Sequence, residues 1–226
     1  MDRKFKIGAI TIGQSPRVDI MEDVQQLLGG EFEIIERGAL DNFNYETVQS
    51  TFYPSKGDTV LVSRMRDGKQ VKLGEEKIIP LLQENIYYLE KQGCQIILMM
   101  CTGKFPKFQH EALLILPQEL LHMIAQKLSG SERIGVIVPD RDQIEAIRER
   151  WNQYGVEVEM AVASPYQKGD HMIKAAENFR NKDVELIFMD CMGYSVKTKR
   201  EVRRISGKPV LLPRTLAARV IQELLD

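Results

Sequence analysis

Apolar and polar positions along the 226-residue chain alternate between two rhythms. "FKIGAIT" at 5–11 is a short, nearly unbroken apolar run, which predicts a buried strand. In "VDIMEDVQQLL" at 18–28 apolar residues return every three or four positions, predicting a helix that Gly29-Gly30 ends before "EFEIIE" opens a strand. The stretch 58–73, "DTVLVSRMRDGKQVKL", alternates about Asp67-Gly68, a strong hairpin signal. A helix is predicted over 75–92 and a strand over 95–100 that stops at Cys101. The remainder repeats the theme. Strands are predicted at 133–138, 156–162, 184–190 and 209–212, helices at 140–154, 168–181 and 196–206, and a last helix runs to the C-terminus. This alternation predicts an α/β fold with mostly parallel sheets and helices on both faces.

Three blocks recur in detail. "IGAIT" at 7–11 matches "IGVIV" at 134–138, "GCQIILMMCTG" at 93–103 matches "DVELIFMDCMG" at 183–193, and "LLILPQELLHMIAQKL" at 113–128 matches "PVLLPRTLAARVIQEL" at 209–224. The spacing between the first two blocks is longer in the first half, and the 58–73 hairpin accounts for the excess. The expected architecture is therefore two pseudo-symmetric, doubly wound α/β domains with mostly parallel sheets and an active-site cleft between them. One domain is expected to comprise 1–112 plus 208–226, and the other 113–207.

Composition narrows the function. With 43% apolar and 28% charged residues the chain can build real cores. Its net charge is −1 with basic residues dispersed among acids, which points away from nucleic acid. The opening "MDRKFKIGAITIGQSPR" lacks a long enough apolar stretch for a secretion signal, and no segment has the length of a membrane span. Cys94, Cys101 and Cys191 are an odd number at wide spacing. That argues for a reducing, cytoplasmic setting rather than a disulfide framework, and gives no zinc-site spacing.

The chemistry concentrates where the repeat places two cysteines. Cys101 falls opposite Cys191 and Gly103 opposite Gly193, each cysteine at the C-terminal end of a matching strand. Ligands of open parallel sheets bind outside those ends. Both cysteines could equally be packing residues, as Cys94 at the start of a strand is expected to be. If the strand ends face one another, the thiols flank a shared ligand. A thiolate on one face of a carbon and a thiol on the other can invert it without a cofactor, with the sulfurs ~7 Å apart. Helices after each cysteine are expected to supply amides that favour the thiolate. Asp190 is expected to point away from Cys191, as a helix cap or ion-pair partner.

Other candidates surround the expected cleft. In "TIGQSPR" at 11–17, Gly13, Gln14, Ser15 and Arg17 are candidates for holding a carboxylate, Arg17 through a bidentate pair; Ser15-Pro16 also reads as a helix start. The glycine spacing is neither a dinucleotide nor a Walker fingerprint. Thr102 and Gly103, with Gly193, Tyr194 and Ser195, can offer amides and hydroxyls. Arg214 and Thr215 read mainly as helix caps, 197–204 as a solvated face, and Trp151 and the run 98–100 as core.

"AITIGQSPR", "IGVIVP", "MDCMGY" and "PVLLPRTLAARVIQELL" together resemble the AroM protein family over essentially the whole chain. That family is similar in turn to the aspartate/glutamate racemase superfamily, which includes hydantoin racemases, maleate isomerases and arylmalonate decarboxylases. The resemblance implies a pseudo-symmetric pair of domains with one catalytic cysteine from each, here Cys101 in "MMCTG" and Cys191 in "MDCMG". Amino-acid racemases usually show Cys-Asn-Thr and Cys-Thr-His at these places. The departure leaves the substrate open, and "CMGY" is closer to the hydantoin racemase type. The expected activity is a cofactor-independent isomerase or racemase acting on a small carboxylate or carbonyl compound. A single-cysteine decarboxylase or cis–trans isomerase, and a non-catalytic metabolite-binding regulator, are the alternatives. A small anion is the expected partner, with neither nucleic acid nor membrane, and a homodimer is an admissible assembly.

Overall fold

The computed structural model describes residues 5–29, 32–128 and 133–225. The first half runs β1 (Phe5–Thr11), α1 (Val18–Leu28), β2 (Phe32–Gly38), a short α2 (Tyr45–Thr47), β3 (Val60–Arg64), β4 (Gln70–Gly74), α3 (Glu75–Lys91), β5 (Ile96–Met99), β6 (Leu113–Ile115) and α4 (Pro117–Leu128). The second runs β7 (Arg133–Val138), α5 (Ile144–Gln153), β8 (Glu157–Val162), α6 (His171–Arg180), β9 (Ile187–Met189), α7 (Val196–Ser206), β10 (Val210–Leu211) and α8 (Pro213–Leu225). Gly29 closes α1 at a φ of 82°, a left-handed value that favours glycine; Gly30 and Glu31 lie outside the described residues.

Two parallel four-stranded sheets carry the fold, in the orders β2-β1-β5-β6 and β10-β9-β7-β8. These orders superimpose when β1 is set on β7, β2 on β8, β5 on β9 and β6 on β10. The three repeated sequence blocks thus occupy equivalent strands. The repeat extends to single contacts. A Cβ on Gly8 of β1 would lie 2.8 Å from Leu89 of α3, and one on Gly135 of β7 would lie 2.9 Å from Phe179 of α6. In each half a glycine in the first strand lets a helix settle onto the sheet. The antiparallel hairpin β3–β4 stands apart from both sheets, as the Asp67-Gly68 turn predicts.

The halves exchange their last helices. Leu121 of α4 packs into the core cluster of the second half with Val136, Trp151 and Phe188, while Ala217, Ala218 and Ile221 of α8 pack into the first half with Ile7, Ile20 and Val24. Residues 113–115 belong to the first sheet and 210–211 to the second, so the chain changes partner at the strand-to-helix turns rather than before the strands. Cys94 is buried within the first half's core, and Trp151, Met99 and Met100 are buried as expected. Among the described residues, no helix is long and apolar enough to cross a membrane.

Candidate active site

The C-terminal ends of β5 and β9 bring Cys101 and Cys191 onto the walls of one tight cavity of about 30 Å³. Thr102, Gly103, Arg17, Asp190 and the Thr59–Ser63 edge of the hairpin share these walls. The hairpin reaches the second half through Lys72, which pairs with Asp140 at 2.9 Å and Asp142 at 2.6 Å. It is held further by the Gln143 amide, which donates to the Val60 carbonyl at 3.1 Å. The inserted segment therefore roofs a cavity that both halves floor.

Each sulfur accepts one backbone hydrogen bond of the same kind. Gly103 N–H donates to Cys101 Sγ and Gly193 N–H to Cys191 Sγ, both at 3.3 Å. Gly193 also allows close packing, since a Cβ there would fall 2.4 Å from the Tyr166 hydroxyl. The amides come from tight turns. No helix directly follows Cys101, contrary to the expectation that helix ends would serve both thiols; α7 follows Cys191, but its N-terminus is capped by Ser195.

Burial raises both thiols above their ordinary range. Cys101 is pushed up to about 12, mainly by burial, partly relieved by the Gly103 amide and reinforced by Cys191, Glu75 and Asp190. Burial also raises Cys191, but more groups pull it back: the Gly193 amide, the Tyr166 hydroxyl and the Arg17 charge. The two positions match in sequence and backbone, and differ in electrostatics.

Arg17 is the residue of the 13–17 candidates that lines the cavity. Its guanidinium is almost fully engaged. Nε and Nη2 bond the two Asp19 carboxylate oxygens at 2.9 and 2.8 Å, Nη1 reaches the Thr11 hydroxyl, and Nη2 also donates to Tyr166 Oη at 3.2 Å. Gly13, Gln14 and Ser15 are turned to structure. Gln14 donates to the Leu40 and Phe43 carbonyls and accepts from Arg66 N–H, while Ser15 bonds Asp41 through both its amide and its hydroxyl at 2.7 Å. A Cβ on Gly13 would fall 2.4 Å from the Arg64 carbonyl, so that glycine lets the hairpin approach. Ser15 is not the cap of α1, whose N-cap is Arg17 without a side-chain bond.

Other expectations are corrected as well. Tyr194 is fully buried and donates its hydroxyl to the Ala163 carbonyl, and Ser195 caps α7 by accepting from Thr198 N–H, so neither lines the cavity. Gly193 serves the sulfur rather than the cavity wall. Arg214 is no cap: fully buried, it donates twice to the Met192 carbonyl at 2.9 and 2.6 Å and binds Asp23 at 2.8 Å. Thr215 bonds back to the Leu212 carbonyl. Asp190 neither caps a helix nor forms an ion pair within 4 Å among the described residues. It lines the same cavity as Cys191, is 3% exposed, and neither carboxylate oxygen has a hydrogen bond within 3.5 Å, although the Thr102 side chain stands near enough to favour its charge. Burial raises it to about 6 against the pull of Arg150 and Thr102.

Sequence reasoning passed over Tyr166 and Arg150. Arg150 carried a signal: it falls on the buried stripe of α5 beside Ile147 and Trp151, where an arginine has no packing reason to be. Tyr166 sits in the loop after β8, with no periodic pattern to mark it. Among the described residues, no group of three histidine, cysteine or acidic side chains could hold a metal ion.

A pair of parallel sheets related by internal symmetry, with a cavity shared between the halves, is the two-domain racemase fold. The chain superposes on the maleate cis–trans isomerase of Nocardia farcinica bound to TRIS with a TM-score of 0.68 and 15% identity, covering 98% of this chain and 92% of that one. For the allantoin racemase of Pseudomonas fluorescens the TM-score is 0.65 at 13% identity, over 98% and 91%. For the glutamate racemase of Francisella tularensis in complex with D-glutamate it is 0.61 at 15% identity, over 98% and 81%. The family is settled by sequence: the AroM protein model matches residues 7–225, and the chain belongs to the AroM family. A search of curated proteins finds no match.

Proposed function

We propose that the protein is a cofactor-independent isomerase or racemase acting on a small carboxylate- or carbonyl-containing molecule, with Cys101 and Cys191 as the acid/base pair. The observation that carries this reading is the shared cavity, to which matched strand ends contribute one thiol each. A carbon acid held between two sulfurs can lose a proton to one and gain a proton from the other, once position is fixed and water excluded. The electrostatics support assigned roles. Burial raises Cys191, but the Gly193 amide, the Tyr166 hydroxyl and the Arg17 charge oppose that rise, so it is the thiol that gives up its proton to become the base; Cys101, pushed up to about 12, keeps its proton and is the acid.

Incubation with a panel of amino acids and hydantoins in D₂O tests the reading through solvent deuterium at the stereogenic carbon. The wild type is expected to exchange at least one substrate, and each Cys→Ser variant to lose roughly a hundredfold or more of that rate. Exchange unchanged in both variants removes the thiol pair. The asymmetry between the sulfurs favours a second reading, in which one cysteine suffices for a decarboxylation or cis–trans isomerisation. That reading expects Cys191→Ser and Cys101→Ser to differ sharply in their effect on turnover.

A further inference from the structure

The cavity holds a charge arrangement that the thiol chemistry does not use. Arg150 of α5 is 8% exposed and lines the cavity, yet its one hydrogen bond given by the structure is from Nη1 to the Thr102 carbonyl at 3.1 Å. Among the described residues no carboxylate lies within 4 Å of its guanidinium in an ion pair. Arg17, the other cation on these walls, is already committed to Asp19, Thr11 and Tyr166. Two buried carboxyl groups feel the Arg150 charge without an ion pair to it within 4 Å among the described residues. Asp190 is buried with both oxygens unpartnered, and Glu75 at the start of α3 has its Oε2 buried and unpartnered. Buried carboxyl oxygens without partners are costly unless something completes them.

Resting on the reading that this cavity takes a small carboxylate, we propose that the ligand carboxylate docks on the Arg150 guanidinium and that a proton from the medium is taken up by Asp190 in the same step. Arginine offers a planar fork that matches a carboxylate, so the free donors of Arg150 are the natural receptor. The ligand then adds a second anion beside Asp190 with one uncommitted cation to share. Carboxylates crowded in this way cannot both stay ionised, and one takes a proton. Once protonated, Asp190 becomes a donor that can bond the ligand.

The groups facing Asp190 fit this assignment. Arg150 and the Thr102 side chain favour its charge, while burial opposes it. Cys101 and Cys191, both raised, are neutral thiols at physiological pH and Tyr194, raised by burial and by Asp190 itself, is a neutral phenol, so none competes for the proton there. Glu75 is the competing carboxyl, also raised by burial and also drawn down by Arg150. With Asp190 resting at about 6, a modest further push completes its protonation near neutral pH.

Acetate, fully ionised across the range, is the probe. Isothermal titration calorimetry from pH 6.5 to 8, in buffers of different ionisation heat, reads both affinity and protons taken up. The wild type is expected to take up about half a proton per acetate near pH 6.5, less as pH rises toward 8, with affinity falling by at most about tenfold per pH unit. Asp190→Asn should bind acetate without proton uptake and with a flat pH profile, Glu75→Gln should behave as wild type, and Arg150→Gln should lose tenfold or more in affinity. In the wild type, the Asp190 carboxyl ¹³C resonance should titrate near 6 and move upward with acetate, a readout independent of any variant's folding. Binding without proton uptake, uptake that survives Asp190→Asn or vanishes in Glu75→Gln, or no acetate binding by the folded wild type overturns the proposal. Failure of the isomerase reading looks different: acetate and a proton bind together, but no substrate exchanges deuterium.

Discussion

The Tyr166 hydroxyl stands 3.9 Å from the Cys191 sulfur while accepting a hydrogen bond from Arg17 at 3.2 Å. Because Arg17 supplies that bond, the phenolic proton is free to turn toward the sulfur, where it favours the thiolate. Among the described residues, no side-chain hydroxyl is placed on Cys101 in this way. Tyr166→Phe should therefore push the Cys191 thiol further up and slow its alkylation by iodoacetamide about tenfold at a given pH. Alkylation at Cys101 should be unchanged. Peptide mass mapping across a pH series separates the two sites.

Gly193→Ala should reproduce part of that effect without touching Tyr166 chemically. The new Cβ would fall 2.4 Å from the Tyr166 hydroxyl, so the ring must yield. The expected result is slower Cys191 alkylation with the Cys101 rate preserved. Gly103→Ala instead presses on Leu61 and Phe105 at 2.9 and 3.2 Å and should not alter Cys191.

Much of this was legible in the chain, because the signals were periodic and local. The repeated blocks "IGAIT" and "IGVIV" fall on the equivalent strands β1 and β7, and Asp67-Gly68 turns the hairpin. The parts that were hidden depend on distant partners. Gln14 and Ser15 look like an anion loop in isolation. Their partners are Leu40, Asp41, Phe43 and Arg66, which only the folded chain brings near. Asp190 departs from strand alternation because it lies past the end of β9, where the turn re-aims its side chain into the cavity. Tyr166 and the hairpin wall come from loops whose positions the sequence pattern does not fix.

Arg214 ties the exchanged helix α8 to the turn that carries Cys191. Replacing it by methionine removes its bonds to the Met192 carbonyl and leaves Asp23 without its buried partner. Loss of one member of a buried pair costs about 3–5 kcal/mol. Urea denaturation should show a lower midpoint of that order, and the surviving folded protein should show altered Cys191 alkylation.

Asp190 also makes stability depend on pH. Its folded-state value, about 6, lies above the ordinary carboxyl value, so the native state binds the proton more tightly than the unfolded chain. The sign follows: stability contributed by the protonated form is fully present below the unfolded value of about 4 and is lost as pH rises through about 6. Asp190→Asn should remove this loss. The variant is expected to gain up to about 3 kcal/mol relative to wild type between pH 4 and pH 8, measured as the difference in unfolding free energy at the two pH values.

The central claim is that one cavity holds both sulfurs. Treatment at pH 9 with dibromoacetone, a short bis-electrophile, followed by tryptic mass mapping, addresses it directly. A single reagent bridging Cys101 to Cys191, suppressed when acetate is present, is the predicted product. Separate mono-adducts on the two cysteines, or a bridge from either to the core residue Cys94, would contradict the account.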